Sequence, residues 1–130
     1  MKKEQRAAQI WPILTLCAAR RQTLTYDLVG RLIGVPRQGL GHLLEPIQSY
    51  CILNRLPALA VLVVSETSGL PGEGFVAAQN VPEEQNAVFK FAWLERMPPT
   101  EMELAEAVTR LPSNGQSLIE LKVEAAKLFV

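Results

Sequence analysis

The sequence predicts a mainly α-helical fold with one small β-hairpin, and three observations carry that prediction. Apolar residues recur at three- and four-residue steps through the first fifty positions. One uncharged run, Leu56-Pro-Ala-Leu-Ala-Val-Leu-Val-Val64, ends in β-branched residues and precedes a Gly- and Pro-rich stretch. Asn80, Thr100 and Ser117 each stand three residues before a Glu, the spacing that opens helices. The chain has 130 residues, 48% apolar and 20% charged, a balance that excludes a disordered chain and predicts a single domain, 1–130.

Residues 4–21 read as an amphipathic helix through Ala7, Ile10 or Trp11, Leu14, Cys17 and Ala18. Pro12 lacks the N–H that the helix ladder needs and is expected to bend or restart it. A short second helix follows over 25–33. Thr25 can cap it, Asp27 sits in its first turn, and Leu28, Leu32 and Ile33 form its expected apolar side. Gly34-Val35-Pro36 ends it. The third helix is expected from about Arg37 to Tyr50, burying Leu40, Leu43, Leu44, Ile47 and Cys51. Arg37, Gln38, Gly41, His42, Glu45 and Gln48 fall mostly on its other side, and Pro46 should kink it. Two helices joined by a tight Gly-containing turn make the helix-turn-helix pattern.

The run 56–64 reads as a buried strand, Ser65–Gly74 as a turn, and Phe75–Ala78 as the return strand, a hairpin or wing. The fold class is therefore a winged helix-turn-helix core, 1–78, with a helical extension over 79–130. That extension holds two or three helices, near 82–95, 101–111 and 118–129, the last with a strand over 118–123 as its alternative. Trp93 and Phe89 are expected to meet as an i, i+4 helical pair.

The formal net charge is zero, yet it is unevenly laid out. Residues 1–60 hold eight bases and three acids, and residues 61–130 hold five bases and ten acids. Such a split points to a polyanion contact or to complementary packing of the two halves. The chain has one His (His42) and one Asp (Asp27), so it lacks most parts of the usual catalytic and metal sites. His42 and Cys51 are nine residues apart, which at about 100° per residue puts them on opposite sides of one helix. Neither catalytic residues nor a metal or other cofactor are expected. Cys17 and Cys51 read as free thiols in a reducing compartment, and their spacing cannot settle whether they pair. The apolar run Ile10–Ala19 has charges on both sides and reads as a core helix rather than an export signal. No run approaches the roughly 20 apolar residues of a membrane span, so a cytoplasmic location is expected.

Two surfaces emerge as candidate sites. Arg37, Gln38 and His42, with Gln48, could reach base edges from a helix in a major groove, while Arg20, Arg21, Arg31 and the Lys2-Lys3 arm could hold phosphates. Glu45, Gly41 and a wing without Lys or Arg weigh against DNA. The second surface is the loop Gly69, Pro71, Gly72 and Glu73, a candidate partner contact. It lacks the Gly-Lys-Ser/Thr ending of a phosphate-binding loop.

Thr25-Tyr-Asp-Leu-Val-Gly-Arg-Leu-Ile-Gly-Val-Pro-Arg37 resembles the winged-helix domain of alkylguanine-DNA alkyltransferases and alkyltransferase-like proteins. The likeness lies in the Thr-Tyr opening, the Pro-Arg start of the next helix, and the apolar stretch before a Gly-rich loop, over roughly residues 23–76. It implies a winged helix and contact with double-stranded DNA. It does not imply alkyl transfer. The family's Pro-Cys-His-Arg or Pro-Trp-His-Arg is replaced by Ala60-Val-Leu-Val63, and its intercalating Arg would fall near Leu40. The expected function is that of a non-catalytic, regulator-like, DNA-binding winged-helix protein. The alternative is a protein-interaction module, of immunity or antitoxin type, whose acidic C-terminal half binds a basic partner.

Overall fold

The computed structural model describes residues 1–72 and 80–111, and within them the chain is mainly helical. The expected return strand 75–78, the loop residue Glu73 and the last helix 118–129 lie outside the described residues.

Helix α1 spans Lys3–Ala19 and runs unbroken through Pro12, which faces solvent. Its buried face is Ala7, Ile10, Trp11, Leu14, Thr15 and Ala18, close to the expected stripe. The helix ends in a left-handed residue, Arg21 (φ 55°). Two bonds close this end, from Arg21 N–H to Ala18 O (3.0 Å) and from Gln22 N–H to Cys17 O (2.9 Å).

A two-residue strand β1 (Leu24–Thr25) leads into α2 (Tyr26–Ile33), capped by Thr25 Oγ1 accepting from Leu28 N–H at 3.1 Å. The expected apolar side of α2 is corrected here. Val29 and Gly30 are buried, while Leu28 and Leu32 are 43% and 58% exposed. The cause is Gly30. The chain beyond α2 turns at Gly34 (φ 75°) and lies directly over Gly30, so the helix docks through its narrowest residue. Val35 N–H donates to Gly30 O at 2.8 Å, and Arg6 reaches across from α1 to donate to Ile33 O at 2.7 Å.

The expected third helix is three pieces: a 3-10 turn Arg37–Gly39, α3 (Leu40–Leu43) and α4 (Glu45–Leu53). The break comes at Leu44. Pro46 in the first turn of α4 donates no N–H and its ring crowds the carbonyl four residues back, so the chain restarts there. α4 is then buried nearly all round, from Pro46 to Ile52.

The strand expected over 56–64 is also corrected. Only Val63–Val64 forms a strand, β2, and Leu59–Leu62 is a buried 3-10 turn. β2 pairs in parallel with β1, Leu24 opposite Val63 and Thr25 opposite Val64. No hairpin partner for the run occurs among the described residues. A strand needs a ladder along its length, and only two residues of the run meet one. Instead the Glu84 carboxylate accepts from Ala58 N–H at 2.7 Å, and the 3-10 turn satisfies Val61 N–H through Ala58 O.

Helix α5 (Val81–Lys90) is capped by Asn80, and α6 (Glu101–Arg110) by Thr100 with Glu103 reciprocating. α5 is shorter than expected. Trp93 sits in a separate 3-10 turn, Trp93–Glu95, and meets Phe91 (centroids 4.6 Å apart) rather than pairing with Phe89 along a helix. Trp93 also packs edge-on against Trp11, which packs edge-on against Tyr50, so α1, α4 and the Trp93 turn share one aromatic cluster. α6 lies on α1 and α4 through Leu104 and Ala107, and Ser49 Oγ donates to Leu111 O at 2.6 Å. The two halves of opposite charge thus meet through apolar side chains.

Candidate functional site

Three short segments converge at one end of α2. Thr25 fixes the first turn of that helix and sets Tyr26 and Asp27 beside the chain that follows. Gly34 in the left-handed region and extended Pro36 reverse the chain and deliver the Arg37–Gly39 turn to the same place. β2, held parallel to β1, sends the loop Ser65–Gly72 back past them. Tyr26, Asp27, Arg37, Gln38, Ser65, Glu66 and Gly72 line the resulting open cleft of about 300 Å³.

The loop is tied down by one side chain. Tyr26 Oη accepts from Gly72 N–H at 2.8 Å, across forty-six positions of sequence. Glycine suits this approach, because a Cβ at Gly72 would stand 2.9 Å from Tyr26 Oη and push the side-chain end away. Within the loop Ser65 N–H donates to Leu70 O (2.8 Å) and Gly69 N–H to Ser65 O (2.9 Å), with Gly69 at φ 69°. The sequence reading missed Tyr26. Its signal was the Thr25-Tyr26 pair, of which the capping rule used only the Thr.

Charges in the cleft are mixed. Asp27 is paired with Arg31 along α2. Glu66 is exposed and makes no ion pair among the described residues. Arg37 and Gln38 are exposed. The structure therefore brings together two of the expected base-contacting residues and part of the expected partner loop. Gly69 and Pro71 belong to that loop but do not line the cleft.

The other expected residues are elsewhere. His42 is exposed on α3, its Nδ1 3.8 Å from Glu45. Glu45 also pairs with Lys3 at 3.4 Å, so this acid on the polar face is neutralised. Arg20 and Arg21 are exposed at the C-terminal end of α1. Gln48 is corrected outright: it is buried in α4 and cannot meet a base.

Among the described residues, His42, Asp27 and the two cysteines lie on different helices. Cys17 and Cys51 are free thiols. Burial pushes the Cys51 thiol up to about 12, against a weaker opposing hydrogen bond from the backbone at Leu59. Burial also raises Cys17, partly offset by Arg20. Both shifts disfavour the nucleophilic thiolate. Among the described residues no group of His, Cys, Asp and Glu could hold a metal ion, and no helix is long and apolar enough to cross a membrane. A second cavity, about 380 Å³, lies between α4 and α6 and is lined by Tyr50, Leu53, Asn54, Glu103, Glu106, Ala107 and Arg110. No protein-family model, curated protein or solved structure matches the chain.

Proposed function

We propose that this protein is a non-catalytic binder of double-stranded DNA, of the winged-helix kind, with the Arg37–Leu43 segment as its reading element. One observation carries the reading. Arg37 and Gln38 open that segment in solvent, on a turn fixed by Gly30 and Gly34, and His42 is exposed on α3 just after them, whereas the later part of the expected third helix, from Pro46 on, is buried. In helix-turn-helix proteins it is the first residues of the second helix that meet base edges. Arg suits guanine and Gln suits adenine, each through paired hydrogen bonds.

Two further features support it. Residues 1–60 carry the positive share of the charge. Arg21 stands at a left-handed position just past the end of α1, and its exposed side chain adds positive charge beside Arg20. Arg20 and Arg21 take the role of phosphate contacts, which position without specifying; Arg31, expected with them, is instead engaged by Asp27. Burial raises the thiols of Cys17 and Cys51, which favours a reading without a cysteine nucleophile; His42 and Cys51 stand on separate helices, α3 and α4, and not on the one helix expected. The resemblance over residues 23–76 contributes shape to this reading and no chemistry.

The test is duplex binding by fluorescence anisotropy across a salt series, with sites enriched from a randomised pool. Affinity should fall steeply with salt, because phosphate contacts release counterions. Arg37→Ala should weaken the enriched site by about 1–3 kcal/mol and relax its sequence. No duplex binding at low salt would remove the proposal. A second reading, a module that binds a basic protein, draws on exposed Glu101, Glu103 and Glu106 along α6. Changing these three to Lys and comparing captured partners addresses it, and an unchanged set clears that surface.

A further inference from the structure

Arg37 and Glu66 line one cleft, yet they reach it from different elements. Arg37 comes from the reading turn and Glu66 from the loop after β2. The second acid of the cleft, Asp27, is paired with Arg31, whereas Glu66 pairs with nothing among the described residues. Its charge therefore faces whatever approaches Arg37. The loop that carries it is held in place by the bond from Gly72 N–H to Tyr26 Oη.

We propose that Glu66 is a specificity-determining residue, whose carboxylate keeps backbone phosphate out of the cleft and leaves Arg37 for base edges. The inference rests on the duplex-binding reading above. A guanidinium beside open solvent binds any phosphate, and such contacts raise affinity for all sequences alike. A negative charge in the same cleft repels the phosphodiester backbone, which carries a full charge at every nucleotide. It repels the uncharged base edge, with only partial charges on its acceptors, less strongly. Specificity then arises by weakening the wrong contact rather than by strengthening the right one. Tyr26 is the positioning residue of this arrangement, since it holds the loop against the first turn of α2.

The experiment measures wild type, Glu66→Gln, Tyr26→Phe and Glu101→Gln against a random-sequence duplex and against the best duplex enriched by wild type. Glu66→Gln should tighten the random duplex by about three- to tenfold and steepen its salt slope by roughly one phosphate contact. The enriched duplex should gain less, so the ratio of the two affinities falls. Tyr26→Phe keeps the ring but frees the loop, and it should shift the ratio in the same direction. Glu101→Gln makes the same change of net charge on α6, away from the cleft, and should leave the ratio as it was. Equal gains on both duplexes, a Glu101→Gln effect as large as that of Glu66→Gln, or no change at all would each overturn the proposal while leaving duplex binding intact. Failure of wild type to bind either duplex would overturn the function itself, and this inference with it.

Discussion

Gly30→Ala tests the turn on which the reading element depends, because two effects of known sign oppose each other there. Ala is a better helix former than Gly by about 1 kcal/mol, so propensity alone predicts a more stable protein. The structure predicts the reverse. A Cβ on Gly30 would come under 3.0 Å from the Val35 carbonyl oxygen and lie 3.5 Å from Val35 C and 3.6 Å from Arg37 N. All three are backbone atoms, so no rotamer change relieves the overlap. The returning chain must lift off α2, which also strains the 2.8 Å bond from Val35 N–H to Gly30 O. Overpacking of this kind costs typically 1–3 kcal/mol, more where backbone must move, so a net loss of about 2 kcal/mol is expected. For a chain of this size that lowers Tm by roughly 6–12 °C. Urea and thermal unfolding followed by circular dichroism measure it. Gly41→Ala is the matched control, since nothing lies within 4 Å of a Cβ there. It should stabilise by about 0.5–1 kcal/mol. A Gly30→Ala protein at least as stable as wild type would refute the close approach of the turn to α2.

Two further outcomes follow from the same geometry. Arg21→Gly should raise stability by about 1 kcal/mol, because it relieves a left-handed non-glycine, and should also weaken duplex binding if Arg21 holds a phosphate. Unfolding and anisotropy on one preparation separate these effects, and a loss of stability would discard the strain argument. Cys51 makes stability pH-dependent on the alkaline side. Its thiol rises from 9.0 to about 12 on folding, so its contribution is complete below pH 9 and is lost as pH climbs from 9 toward 12. The slope should approach about 1.4 kcal/mol per pH unit there. Cys51→Ala should flatten it, and an unchanged slope would put the alkaline sensitivity elsewhere.

The elements read most accurately from sequence depend on neighbours within one helical turn. Thr25, Asn80 and Thr100 each accept from the backbone N–H three residues on, as their spacing implied. The buried stripe of α1 also follows its period. Errors appeared where a distant segment changed the outcome. Leu28 and Leu32 have the periodicity of a buried face, but the segment returning over Gly30 rotates α2 so that they point outward. The run 56–64 has the composition of a strand, but only its last two residues find a ladder. The candidate site shows the same division. Arg37 and Gln38 were legible because a Pro-Arg pair after a Gly turn marks a helix start. Gln48 was misread because the burial of α4 on nearly every side comes from distant segments and has no local sign.

By itself the sequence determined that this chain forms capped helices, where α2, α5 and α6 start, and that the first sixty residues hold most of the bases. These properties follow from local hydrogen-bond chemistry and from counting. Only the tertiary structure decided which face of each helix is buried and which side chains share a cleft. Tyr26, Arg37, Glu66 and Gly72 meet because a two-residue parallel pairing brings Val63–Val64 beside Leu24–Thr25. That pairing depends on chain reversal at Gly34 and on burial of the run between Leu59 and Leu62, contacts made across dozens of residues that no local pattern records.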